Sequence, residues 1–180
     1  MIVQNLVRFL LTLAILSGVG IGLFDYLKNF DENECSMTWM YQAPKLLDVS
    51  MPIDGQNPFE RYKLSLYCVG DGCVSAFNFK RGHIQSLVVP GNADSAMQVR
   101  SLASVTTDKS RYSKQHSSVR FHFFTISFNR ELTGLYGPFV HVQTKYVQHA
   151  INHILMLFRK SINEPEKAPQ SVLLIGNSLG

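Results

Sequence analysis

The chain has 180 residues, of which 46% are hydrophobic and 17% charged, and its net charge is +4. This length allows one domain with its own core, and the composition excludes a disordered chain. Lysines and arginines are scattered and form no basic stripe interleaved with exposed aromatic residues, so we expect no nucleic-acid partner.

The amino-terminal segment predicts a membrane helix. Phe9–Phe24 contains no charged residue, and the mostly apolar stretch before Arg8 extends it toward the ~20 residues that a bilayer-spanning helix needs. We interpret residues 1–24 as an uncleaved signal anchor. A cleaved signal peptide is the main alternative. A buried soluble helix is disfavoured by the three glycines of this segment, which are costly in a water-soluble helix.

Charges on either side of this helix predict its orientation. Arg8 precedes it, whereas four acidic residues and only one lysine lie between residues 25 and 34. Positive charge stays cytoplasmic, so we expect the rest of the chain to be lumenal or extracellular. Cys68 and Cys73 flank a glycine-rich turn and form either a disulfide in an oxidising compartment or two part-buried thiols. Cys35 is left over.

Residues 25–60 contain three prolines and are expected to form an irregular juxtamembrane lumenal segment. After it, Tyr62–Val69 alternates like a strand, and we expect it to pair with Val74–Lys80 across the glycine turn.

Beyond residue 84, strand-like and helix-like segments alternate. They are the strand at 86–90, a helix starting near Ser95 over 96–105, the strand Arg120–Asn129, the helix Gln143–Lys160 and the strand 171–176. A polar stretch, 106–118, separates the first helix from the second strand. Nearly continuous apolar strands alternating with amphipathic helices predict an α/β fold for residues 61–180, with a parallel sheet covered by helices on both faces.

The last strand runs directly into Gly176-Asn177-Ser178-Leu179-Gly180, a pattern that presents a nucleophilic serine. Ser178 is the predicted nucleophile, and the following N–H, from Leu179, would bind the oxyanion. Gly176 and Gly180 would relieve crowding at the sharp turn. The alternative is an ordinary glycine-rich turn between a strand and a helix.

A second loop, Pro90–Ser95, follows the strand at 86–90, where an α/β-hydrolase places its other oxyanion donor. We predict the backbone N–H of Asn92 as that donor. The alternative is a plain Pro-Gly turn.

Several ordered segments resemble the GPI inositol-deacylase family: LVVPGNADSAMQVRSLAS, FFTISFNRELTGLYG, QTKYVQHAINHIL and PQSVLLIGNSLG, together with the amino-terminal membrane segment and ENECSMTWMYQAPK. The resemblance implies an endoplasmic-reticulum membrane enzyme, similar to lipases, that removes the acyl chain from the inositol of GPI anchors and so promotes export of GPI-anchored proteins. It implies the GPI lipid or a GPI-anchored protein as substrate and residues after about 25 in the lumen. Ser178 matches the family nucleophile, and no metal or organic cofactor is expected.

The chain departs from the family pattern at Asn177, Leu179 and Asp94, where the family usually has histidine, methionine and glycine. The acid and histidine of the triad should follow the serine in chain order. We therefore expect an incomplete α/β-hydrolase fold ending at the nucleophile turn, with little activity on its own. The rival interpretation is a truncated, non-catalytic endoplasmic-reticulum membrane protein that binds lipid or a partner. A lipase of the same fold acting on other esters is a third.

None of the chain's own histidines is expected to serve as the base. His149 and His153 lie four residues apart, a metal-site spacing, but Ala150 occupies the position of the glutamate in HExxH. We interpret the histidines as surface or helix-edge residues.

Overall fold

The computed structural model describes residues 2–30, 36–52, 58–74, 76–80, 82–112, 119–162, 166, 168–178 and 180. The chain divides into two compact units, residues 1–36 and 37–180. The first contains helix α1, Ile2–Lys28. Its segment Gln4–Lys28 is long and apolar enough to cross a membrane, judged by length and composition, and none of it is buried. The apolar amino-terminal helix is therefore confirmed, and it continues past the predicted end at residue 24.

The second unit is built on a five-stranded mixed sheet. Its strands are β1 Pro44–Val49, β2 Lys63–Val69, β3 Ile84–Val89, β4 Phe121–Ser127 and β5 Leu173–Gly176, and their spatial order is β1-β2-β4-β3-β5. β3 is parallel to both β4 and β5, whereas β2 is antiparallel to both β1 and β4. The predicted α/β fold is confirmed, with the correction that only the β4-β3-β5 half of the sheet is parallel.

Two helices cover opposite faces of this sheet. Helix α2, Val99–Tyr112, follows β3 after a short 3₁₀ turn at Ala96–Gln98, and helix α3, Pro138–Ser161, follows β4. The core under α3 is the larger; its fully buried members include Leu64, Leu87, Phe124, Tyr146, Ile154 and Phe158. A smaller cluster lies under α2 and consists of Tyr67, Val88, Val99, Ala103 and Phe123. Alternate side chains along each central strand thus enter opposite cores.

Two expectations about the first half of this unit were wrong. Part of the segment predicted to be irregular forms β1, which pairs along its full length with β2. β2 therefore has neighbours on both edges, and Val74–Lys80 does not pair with it. Within the described part of that segment, Phe79 is buried and its ring stacks on Phe158 with 4.2 Å between centroids. The segment covers the α3 core and does not extend the sheet.

The helix boundaries also differ from the prediction. α2 runs through Thr106–Tyr112, a stretch that the sequence predicted to be a polar connection. The hydroxyls of Thr106, Thr107 and Ser110 donate to carbonyls of the preceding turn, so these polar side chains are accommodated within the helix. α3 begins at Pro138, five residues before the predicted start, with proline in its first turn. Cys68 and Cys73 form a disulfide, which decides between the two alternatives that the sequence left open.

Candidate active site

Ser178 lies in a tight turn at the carboxyl end of β5. Gly176 is in register with Val89 of β3, and the N–H of Asn177 donates to the carbonyl of Val89 at 3.2 Å. The N–H of Gly180 then donates back to the carbonyl of Asn177 at 3.0 Å. Ser178 itself has φ +58° and an exposed side chain. A left-handed backbone costs an L-residue roughly 1–2 kcal/mol, and such strain concentrates at functional sites.

The two glycines of this turn leave no room for side chains. A Cβ on Gly176 would overlap the carbonyl of Gly180, and a Cβ on Gly180 would overlap the carbonyls of Val89 and Pro90. The obstacles are backbone atoms, which cannot swing aside as a flexible side chain would. Glycine at both positions is therefore what allows the chain to reverse within so few residues and present Ser178 at the end of the sheet.

The loop after β3 lies directly against the serine. A Cβ built on Gly91 would be 2.7 Å from the carbonyl oxygen of Asn177, 2.8 Å from Ser178 Cβ and 3.4 Å from Ser178 Oγ. The next residue, Asn92, is exposed, and its backbone N–H has no hydrogen-bond acceptor among the described residues. The structure thus brings the two predicted site loops together. Leu179, the other predicted oxyanion donor, lies outside the described residues.

Hydrogen bonds also join this loop to the turn that follows β4. Asn92 Oδ1 accepts from the N–H of Gly134 at 2.8 Å, and the N–H of Ala93, itself at φ +54°, donates to the carbonyl of Glu131 at 2.9 Å. Of the amides of Asn92 and Ala93, that of Ala93 is paired, whereas that of Asn92 meets no acceptor in the part of the chain that the structure describes. Asp94, which departs from the family pattern, accepts from the N–H of Ser95 at 2.6 Å, so its carboxylate is engaged at the start of the following helical turn.

The serine turn has an anchor of its own. Asn177 Nδ2 donates to Gln98 Oε1 at 2.9 Å and so joins the turn to the short 3₁₀ segment that precedes α2. This contact gives the asparagine a structural role at a position where the family usually has histidine. Sequence reasoning singled out neither Gln98 nor the close approach at Gly91; the Pro-Gly pair was the only signal for the latter.

No hydrogen bond joins Ser178 to a histidine of the described region. His83 and His122 form a pair, with 2.7 Å between Nδ1 and Nε2, at the starts of β3 and β4 and hence at the opposite end of the sheet. A cavity of about 760 Å³ opens beside that pair, and Ser178 does not line it. His153 was predicted to be a surface or helix-edge residue; it is not on the surface, and its burial lowers its pKa. His116 lies outside the described residues.

A metal site is not apparent in the part of the chain that the structure describes, since no three histidine, cysteine or carboxylate side chains cluster there. The chemistry that the arrangement can perform rests on an exposed hydroxyl at a strained backbone position and on the loop against it, in which the Asn92 N–H has no acceptor among the described residues. Such groups suit attack on an acyl carbon, because the tetrahedral intermediate needs donors fixed in advance.

Comparison with known proteins places this arrangement in a family. A family model described as a PGAP1-like alpha/beta domain matches residues 82–180, which is more than half of the chain. The chain belongs to this family. The matched region of the PGAP1-like domain runs from the start of β3 to the turn that carries Ser178.

Relatives with curated names agree with the assignment to the PGAP1-like family. The GPI inositol-deacylase of Mus musculus is 36% identical over 160 residues, which cover 89% of this chain and 17% of the mouse protein. Those of Xenopus laevis and Drosophila melanogaster are 34% and 31% identical over 164 and 162 residues, covering 90% and 88% of this chain and 17% and 15% of those proteins. The chain thus spans about a sixth of the length of the relatives it matches.

Proposed function

We propose that this chain is the amino-terminal part of a serine ester hydrolase that removes the acyl chain from the inositol of GPI lipids. The observation that carries the proposal is the contact between Ser178, held at φ +58°, and the loop of Gly91 and Asn92. The names of the relatives supply the substrate class, since they are GPI inositol-deacylases. The geometry of the site favours acyl transfer, and the proposed substrate is taken from the similarity to these relatives.

The proposed reaction has two steps. Ser178 Oγ attacks the acyl carbonyl carbon, its proton passes to a base, and the carbonyl becomes an oxyanion held by the N–H groups of Asn92 and Leu179. Collapse expels the inositol hydroxyl, which takes up the proton and leaves an acyl-enzyme. Water then attacks the acyl-enzyme and releases a fatty acid. Because the acid and histidine follow the serine in chain order in this fold, neither role is assigned to a residue before Ser178.

The same proposal places the enzyme in the endoplasmic-reticulum membrane, with α1 as an anchor and residues after about 25 in the lumen. Arg8 and the amino terminus before the apolar run, against Lys28 alone in the ten residues after it, favour this orientation. The Cys68–Cys73 disulfide supports it, because such bonds persist in oxidising compartments. An N-glycosylation acceptor inserted at the exposed Val74 should be glycosylated in cells, and an unmodified insertion would contradict lumenal placement.

The activity can be tested on the full-length gene product. We expect the purified protein, supplied with an inositol-acylated GPI lipid in mixed micelles, to release one fatty acid, detected by mass spectrometry of the lipid. Ser178→Ala should lower the rate by about 10⁴-fold or more. Ser161→Ala is the matched control, since this serine is exposed and its hydroxyl donates to the carbonyl of Leu157 within its own helix. An unchanged lipid mass with wild-type protein, or full activity in Ser178→Ala, would refute the proposal.

A further inference from the structure

We propose that Glu131 is a positioning residue that holds the loop of Gly91, Asn92 and Ala93 in place beside Ser178. The inference rests on the proposed function, because the loop matters to catalysis only if Ser178 attacks an ester. Glu131 lies in the turn after β4.

The carboxylate is fixed by two donors from different parts of the fold. Glu131 Oε2 accepts from the hydroxyl of Tyr62 at 2.6 Å and from Nε2 of Gln143 at 3.2 Å. Tyr62 is 8% exposed and precedes β2, whereas Gln143 is 7% exposed and belongs to α3. Burial, followed by the bond to Glu131, raises the pKa of Tyr62, so the phenol keeps its proton and remains a donor. The Glu131 side chain is thus tied to both the sheet and a helix.

Gln143 also holds a second residue of the same turn, Thr133. Gln143 Nε2 also donates to Thr133 Oγ1 at 2.8 Å, and the threonine, 6% exposed, can return a bond to Gln143 Oε1 at 3.2 Å. One glutamine of α3 therefore anchors both Glu131 and Thr133. Buried polar networks of this kind rigidify a structure when their members are paired, because an unpaired member would carry the full cost of lost hydration.

Two hydrogen bonds connect the anchored turn to the loop beside Ser178. The carbonyl of Glu131 accepts from the N–H of Ala93, and the N–H of Gly134 donates to the side chain of Asn92. The turn is also strained, since Asn129 and Arg130 have φ +55° and +57°. Strained backbone persists only where its surroundings hold it. Without the carboxylate anchor, we expect the turn to relax and to carry the Asn92 amide away from its place beside the serine.

Such a shift should affect the transition state more than substrate binding. The Asn92 N–H would bind an oxyanion that exists only after attack, so its displacement lowers kcat and leaves KM nearly unchanged. A misplacement of about 1 Å can cost about 100-fold in rate. We expect Glu131→Leu to lower kcat by about 10- to 100-fold. Glu131→Gln should retain at least a third of the wild-type kcat, because its amide oxygen can still accept from Tyr62 and Gln143.

The experiment compares these two variants in the full-length protein with a soluble ester such as p-nitrophenyl butyrate, reporting kcat, KM and melting temperature. Ser65→Ala is the matched control. It removes a buried hydroxyl on β2 that donates to Asp48 on β1 at 3.0 Å, and within the described residues this hydroxyl makes no hydrogen bond to the loop of Gly91, Asn92 and Ala93. The proposal predicts a kcat-only loss in Glu131→Leu, rescue in Glu131→Gln, and little change of kcat in Ser65→Ala despite a comparable fall in melting temperature.

Other outcomes separate the two proposals. If the wild type shows no Ser178-dependent hydrolysis, the proposed function fails and the inference fails with it. If the wild type is active and Glu131→Leu keeps its kcat within twofold, or if kcat falls alike in Glu131→Leu, Glu131→Gln and Ser65→Ala, the positioning role alone is refuted. Should Glu131→Leu fail to fold, Gln143→Leu removes one donor and keeps the carboxylate. It should show the same kcat-only loss, and a wild-type kcat there would refute the role.

Discussion

Gly91→Ala tests the contact between the two site loops. Gly91 is buried, and its φ is not positive, so alanine would be opposed by space and not by backbone conformation. The new Cβ would lie 2.7 Å from the Asn177 carbonyl oxygen and 2.8 Å from Ser178 Cβ, about 0.7 and 0.6 Å short of the 3.4 Å at which ordinary contact begins. Both obstacles belong to the serine turn, so relief requires the two loops to separate by several tenths of an ångström.

The size of this separation sets the expected effect. Since about 1 Å of misplacement costs about 100-fold, we expect a fall in kcat of about 10- to 100-fold, or about 1.4–2.7 kcal/mol of transition-state stabilisation. Overpacking of this kind should also lower the free energy of unfolding by about 1–3 kcal/mol.

The assay is ester hydrolysis by the full-length protein together with urea unfolding. Gly137→Ala is the control, because a Cβ at this position, with φ −50° at the start of α3, meets nothing within 4 Å. Wild-type kcat and stability in Gly91→Ala would show that the loop does not press on Ser178, and the reasoning would fail.

Three further changes test separate parts of the account. Ser178→Gly should raise the free energy of unfolding by about 1 kcal/mol over Ser178→Ala in urea titrations, because glycine accepts φ +58° without strain; equal stabilities would contradict the strained turn. Replacing Cys68 and Cys73 by serine should cost about 2 kcal/mol, as expected for so short a loop, and no loss would argue against the bond. Burial, His83 and Arg120 lower the pKa of His122 to about 4, so the unfolded state binds the extra proton and stability should fall by at most about 3 kcal/mol from pH 6.5 to 4. His122→Phe should flatten that pH dependence, and an unchanged slope would refute this assignment.

Local patterns were enough to predict most of the second half of the fold. β3, β4 and β5 are short apolar runs bounded by turn residues, and α3 shows apolar residues at three- and four-residue spacing, so each could be recognised without its neighbours. β1 could not, because Pro44–Val49 acquires its strand conformation from pairing with β2. The prediction that Val74–Lys80 pairs with β2 was wrong for a related reason. The alternating pattern of this segment suits a strand, but β1 and β4 already occupy both edges of β2.

In the candidate site, too, some features could be predicted from local sequence and others could not. Ser178 and the loop of Asn92 follow from a short motif and from the rule that chemistry collects at the carboxyl ends of parallel strands. In the network of Tyr62, Glu131 and Gln143, Glu131 is bonded to residues 69 positions before it and 12 positions after it. From sequence periodicity, Gln143 was predicted only as the first residue of a helix and Tyr62 only as the first residue of a strand. Only the folded arrangement shows that these buried polar residues meet one another.

The most direct measurement of the central claim is the site of covalent labelling by a fluorophosphonate, which reacts with activated serines. The full-length protein is labelled, digested and mapped by mass spectrometry, with Ser161→Ala and Ser178→Ala treated in parallel. The account predicts one adduct, on Ser178, that persists in Ser161→Ala and is absent from Ser178→Ala. Ester hydrolysis that continues while Ser178 stays unlabelled, or an adduct on another serine, would contradict it.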